Sequence, residues 1–101
     1  MTRTAEQREP HEPIVKGEIE QRGVDWTKAL KGKSLRPNEI PTWSVSPVGL
    51  VLGDTALVGN EAQVVIDSNT ANTQTYYLRC TAWTADNLKM IIERPINVVA
   101  R

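Results

Sequence analysis

The run TYYLRCTAWT, residues 75–84, alternates with a period of two: Tyr76, Leu78, Cys80 and Ala82 share one parity, Tyr77, Arg79, Thr81 and Trp83 the other. Successive side chains of a strand point to opposite faces. The run therefore predicts a strand with a small apolar face turned to a core and an outer face that mixes charge with large aromatics. After the turn residues Ala85, Asp86 and Asn87 comes LKMIIERPINVV, residues 88–99, where Met90, Ile92, Ile96 and Val98 fall on one parity and Lys89, Glu93, Pro95 and Asn97 on the other. The two runs predict a hairpin. Pro95 has no N–H to give to a ladder, so the second strand belongs at a sheet edge or carries a bulge.

Upstream, EAQVVID (residues 61–67) and TWSVS (residues 42–46) are two more short alternating runs, with Ala62, Val64 and Ile66 inward on one and Trp43 and Val45 inward on the other. At least four strands are thus expected. The segments GLVLGDTALVGN (residues 49–60) and SNTANTQ (residues 68–74) are rich in Gly, Asn and Thr and read as loops. In VDWTKALKGKSL, residues 24–35, Asp25 can cap a short helix carrying Trp26, Ala29 and Leu30, with Gly32 ending it. In a chain otherwise written in period two, the reading is a strand to about Trp26 that tightens into one helical turn before Gly32. The expected core is Trp26, Trp43, Val45, Val64, Ile66, Tyr76, Leu78, Cys80 and Ile92.

The chain has 101 residues, enough for one core. Its twelve basic and twelve acidic side chains cancel. That balance lacks the one-sided field that nucleic acid or an anionic membrane selects. No apolar run approaches the roughly 18 residues of a membrane span, and the N-terminus has no apolar core of the signal-peptide kind. Residues 1–13 hold two prolines, His11 and five ionisable side chains, with only Met1 and Ala5 apolar. They read as an extended or disordered arm that gains order only on a partner, through Arg3, Arg8, Glu9 and Glu12, leaving residues 14–101 as the folded domain.

An enzyme needs a nucleophile, base or metal set in mutual reach, and the inventory here is thin. His11 is the lone histidine and sits in the arm. Cys80, the lone cysteine, falls on the apolar parity of its strand, where a thiolate is costly. It fits a reducing compartment, or a thiol that is simply buried. No cysteine or histidine pair has zinc-ligand spacing, Asp54, Glu61, Asp67 and Asp86 are scattered singly, and glycines 49, 53 and 59 match no phosphate-cradling motif. No catalytic residue, metal or cofactor is therefore expected. Tyr77, Arg79 and Trp83 on one outward face could stack single-stranded nucleic acid, but the neutral charge favours a protein-contact surface.

Asp25-Trp26, Leu30-Lys31-Gly32, Trp43-Ser44-Val45 and Gly49-Leu50, followed by a tyrosine-bearing strand, a polar hairpin and Ile96-Asn97-Val98, lie in an order that resembles the fibre-tail adaptor family of tailed bacteriophages. The resemblance spans residues 24–99, and departs from the family at the last hairpin, where Asp86-Asn87 stands in place of Gly-Arg. It implies an immunoglobulin-like fold, which together with the alternating runs and the N-terminal arm outside it makes the expected fold an all-β, immunoglobulin-like antiparallel β-sandwich with an extended N-terminal arm. It also implies a virion structural protein, made in the host bacterial cytoplasm and placed in the particle as a tail-fibre adaptor. Its partners would be tail, fibre, portal or capsid subunits, in many copies or as a homo-oligomer. They would be bound through the arm and the face of Tyr77, Arg79 and Trp83. A capsid-decorating or head-fibre protein is the alternative within that setting, and a non-viral immunoglobulin-like binding module the alternative outside it.

Overall fold

A computed structural model describes residues 13–101. Residues 75–83 form the strand expected of them, and the elements run in chain order β1 (Ile14–Val15), β2 (Ile19–Asp25), α1 (Thr27–Leu30), β3 (Thr42–Ser46), β4 (Val51–Val58), β5 (Glu61–Asp67), β6 (Thr75–Trp83) and β7 (Lys89–Val99). They form an all-β fold of two sheets, one of four strands in the order β1-β7-β6-β3 and one of three in the order β2-β5-β4. Every pairing is antiparallel except β1 with β7, which is parallel (Ile14 beside Val98, Val15 beside Val99) and corrects the expectation of a wholly antiparallel sandwich. The correction has a simple cause, since a two-residue strand separated from its partner by most of the chain leaves no periodic trace in the sequence.

The hairpin of β6 and β7 runs in continuous register from Thr75 beside Asn97 to Trp83 beside Lys89, and Asn87 takes the left-handed conformation (φ 69°) in its turn. Val98 N–H donates to the Gln74 carbonyl, whereas the Val99 carbonyl accepts from Lys16 N–H on the opposite side, both at 2.9 Å. Odd-numbered residues at this end of β7 thus turn their backbone groups away from β6. Pro95 therefore sits where a missing N–H costs the hairpin no bond. Among the described residues, no strand lies on the side of β7 away from β6 between Lys89 and Asn97, so this flank is an open edge.

The larger departure is β4. Residues 51–58 form an eight-residue strand where a loop is expected. Leu52 lies beside Ile66, but the next paired residue, Thr55, lies beside Val64, so an extra residue is inserted near Gly53 and Asp54. This bulge breaks the period-two pattern that would otherwise mark the strand. Residues 24–35 adopt the strand-then-turn form: β2 ends at Asp25, whose carboxylate accepts from the Thr27 N–H (2.9 Å) and hydroxyl (2.6 Å). The single turn of α1 then closes at Lys31 (φ 52°) and Gly32 (φ 84°).

Two apolar clusters fill the space between the sheets. One gathers Ile14, Leu50, Val64, Ile66, Ala71, Tyr76, Leu78, Ile96 and Val98, and the other gathers Val24, Trp26, Leu30, Ala62, Cys80 and Ala82. Of the expected core residues, Trp26, Val64, Ile66, Tyr76, Leu78 and Cys80 are buried. Trp43, Val45 and Ile92 are half-buried and pack against the clusters, Trp43 touching both. Strand β3 is an edge strand, and β7 is an edge at Ile92, so each of these side chains has one flank uncovered. Where β1 closes the edge Val98 is buried, and so is Ile96 just before it. Gly49 (φ 142°) lies so close to the Tyr76 ring that a Cβ there would collide with it, and the Tyr76 hydroxyl accepts from Asn72 N–H at 2.9 Å.

Arg22 is unlike the rest of the interior. It occupies an inward position of β2 opposite Val64, fully buried. Its Nη2 donates to Glu20 Oε2 and to the Pro13 carbonyl, both at 3.0 Å, tying the start of the described chain to the three-stranded sheet.

Candidate functional site

The outward parity of β6 and β7, with the outer positions of β3, builds one continuous face. Cross-strand register sets its rows: Tyr77 between Ser46 and Pro95, Arg79 between Ser44 and Glu93, Thr81 between Thr42 and Ile91, and Trp83 beside Lys89. Tyr77 and Ile91 are 48% and 50% exposed, large values for apolar surface in a strand centre. Arg79 Nε and Nη2 reach Glu93 Oε2 at 3.2 and 2.9 Å, a half-exposed pair that orients the guanidinium more than it stabilises the fold.

Trp83 is half-buried because its own chain flanks it. The Arg36 guanidinium carbon lies 4.9 Å and the Lys89 ammonium 5.9 Å from the ring centroid, within cation–π range. Arg36 is held there by its backbone N–H on the Trp83 carbonyl (2.9 Å) and by Nη2 on Asn87 Oδ1 (2.8 Å). Lys33 Nζ reaches Asp86 Oδ2 at 2.8 Å, and that ammonium, with the Thr84 hydroxyl, holds the Asp86 carboxyl below the usual carboxylate range. Residues 33–36 thereby brace the tip of the β6–β7 hairpin. An open groove of about 480 Å³ runs along the other side of this segment, with Lys33, Arg36, Ile40, Leu57 and Asn60 on its walls.

The structure thus places Tyr77, Arg79 and Trp83 on one face and adds to them Ile91, Lys89 and Arg36. Lys89 and Ile91 follow from extending the parity of β7, whereas Arg36 comes from a segment without periodicity and had no signal. The arm residues Arg3, Arg8, Glu9 and Glu12, and His11, lie outside the described residues. Among the described residues, no group of three His, Cys, Asp or Glu side chains is placed to hold a metal ion.

Cys80 is buried beside Trp26, and burial pushes its thiol up to about 12, moderated by the nearby indole N–H. That N–H has no acceptor in hydrogen-bond geometry, so its influence is weak. In the unfolded chain the thiol ionises near 9.0, so the unfolded state sheds its proton first as pH rises. The contribution to stability is complete below about pH 9 and is lost as pH rises toward 12. A thiol reagent in native buffer at neutral pH is expected to label Cys80 only at the rate of global unfolding. Labelling that is fast and insensitive to added stabilisers would place the thiol at the surface.

No family model matches the chain, and no curated protein matches it. Among solved structures it is similar to the solution structure of Amebosin, at 15% identity and a TM-score of 0.46, over 88% of this chain and 98% of that one. These findings correct the resemblance to phage fibre-tail adaptors, since no family model, that family's included, matches the chain. The tail-fibre role and its virion setting fall with it. The likeness to Amebosin is one of general chain path and assigns this chain no role.

Proposed function

We propose that the chain is a protein-binding module built on an immunoglobulin-like β-sandwich, without catalytic chemistry of its own, and that the outer face of β6 and β7 is its contact surface. One observation carries this reading: exposed Tyr77, Pro95 and Ile91 surround an arginine already oriented by Glu93, at the centre of a sheet face rather than at its rim. Aromatic and arginine side chains set in a face of short polar residues make the energetic centre of protein interfaces. Here the rest of the face is supplied by Ser44, Ser46, Thr42 and Thr81, which leave the large side chains standing clear.

A photo-reactive residue at position 77 or 91 is expected to trap a discrete partner in cells that make the protein, and the same residue at Thr73, in the loop before β6, is not. With that partner purified, Tyr77→Ala combined with Ile91→Ala should weaken the affinity about tenfold or more. Equal trapping at Thr73, or an affinity unchanged by the double substitution, would overturn the reading.

A further inference from the structure

The opposite side of the molecule carries a second surface with different chemistry. On the outer face of β2, β5 and β4 the register aligns Ile19, Asp67 and Val51 in one row and Asp25, Glu61 and Val58 in another, with Gly23, Gln63 and Ala56 between. Ile19, Val51 and Val58 are 59%, 51% and 61% exposed. The charges are all of one sign: Asp25, Glu61 and Asp67 point outward, Asp54 stands in the bulge, and the single cation of these three strands, Arg22, is buried on the inner side. A chain whose charges cancel overall must hold the compensating cations elsewhere. Many of them are concentrated between Asp25 and Glu39, where Lys28, Lys31, Lys33 and Arg36 stand with no carboxylate among them. Lys33 and Arg36 have ion partners at Asp86 and Glu39, while Lys28 and Lys31 are exposed and have none among the described residues.

We propose that the acidic, valine-bearing face of one copy receives the basic segment of residues 28–36 of a second copy. The two surfaces are different and belong to the same chain, so the contact is heterologous and propagates rather than closing on a two-fold axis. Three strands of about seven residues, spaced about 4.8 Å apart with a rise of about 3.4 Å per residue, offer roughly 300 Å². That is well below the roughly 800 Å² per partner of a standard interface, so the association is weak and its strength comes largely from charge. It leaves Tyr77, Arg79 and Ile91 free, with Arg36 at the rim of that face bordering both surfaces.

Sedimentation velocity on the full chain tests it. The weight-average mass is expected to rise with concentration, and the apparent dissociation constant to weaken about tenfold as salt is raised from roughly 0.05 to 0.5 M. Reversing the face (Glu61→Lys with Asp67→Lys) or the segment (Lys28→Glu with Lys31→Glu) should each give a monomer. Mixing the two variants should restore association, because the intact segment of one meets the intact face of the other and the two reversed surfaces also carry opposite charges. Val51→Lys, a single change at an exposed site, serves in place of the first variant if that does not fold. A wild-type chain that stays monomeric at every concentration, an association that survives either reversal, or a mixture that does not associate would each overturn the proposal.

Discussion

The Trp26→Ala variant is expected to lose about 4 to 5 kcal/mol of unfolding free energy, a large part of what a domain of this size possesses. Trp26 is the largest fully buried side chain, at the junction where β2 becomes α1. Its carbonyl closes the turn by accepting from Leu30 N–H, and its N–H donates to the Asn60 carbonyl, both at 2.9 Å. Truncation would leave a cavity lined by Val24, Leu30, Ala62, Cys80 and Ala82, three of them too small to collapse into it. The cavity cost thus adds to the lost transfer energy rather than relaxing away. Urea denaturation followed by dichroism measures the loss. A change under about 1 kcal/mol would mean that the indole is not enclosed.

Arg22→Ala should be nearly as costly, at about 3 to 5 kcal/mol, for a different reason. It removes a cation from a buried pair, so the Glu20 carboxylate loses this partner where water reaches it poorly, and the Pro13 carbonyl loses a donor. The cost reflects what is left behind rather than the net worth of the pair. Replacing both partners by apolar residues of similar volume, Arg22→Met with Glu20→Leu, is accordingly expected to recover most of the loss. If the double variant is no better than Arg22→Ala, the interior of β2 needs the charge itself. If Arg22→Ala costs nothing, the pair is held in water.

The β6–β7 hairpin could be read from the chain because its two apolar parities are unbroken from Tyr76 to Ala82 and nearly so from Met90 to Val98. Strand β4 could not, because the bulge at Gly53 and Asp54 shifts Leu52 and Leu57 onto opposite parities while both pack against the core. In β2 the usual signal is inverted: Glu20 and Arg22 occupy inward positions and Ile19 an outward one, so a sequence reading by polarity turns the strand inside out. The proposed contact face was half legible. Tyr77, Arg79 and Trp83 share a parity, but the Arg36 that flanks Trp83 arrives from a loop 47 residues earlier in the chain, and only tertiary structure brings it there. Asp25-Trp26, Leu30-Lys31-Gly32 and Trp43-Ser44-Val45, which carried the phage resemblance, prove to mark a strand end, a helical turn and an edge strand. Those are fold positions, available to any small all-β fold, and so they carry no information about role.

Strand β6 divides into an inner parity that holds the fold and an outer parity left open to solvent, and two adjacent tyrosines mark the division. Tyr76 is buried and Tyr77 stands outside. Measuring the unfolding free energies of Tyr76→Ala and Tyr77→Ala side by side tests this division most directly. The prediction is a loss of about 3 kcal/mol for Tyr76→Ala and under about 0.5 kcal/mol for Tyr77→Ala. Comparable losses, or the larger loss at Tyr77, would contradict it.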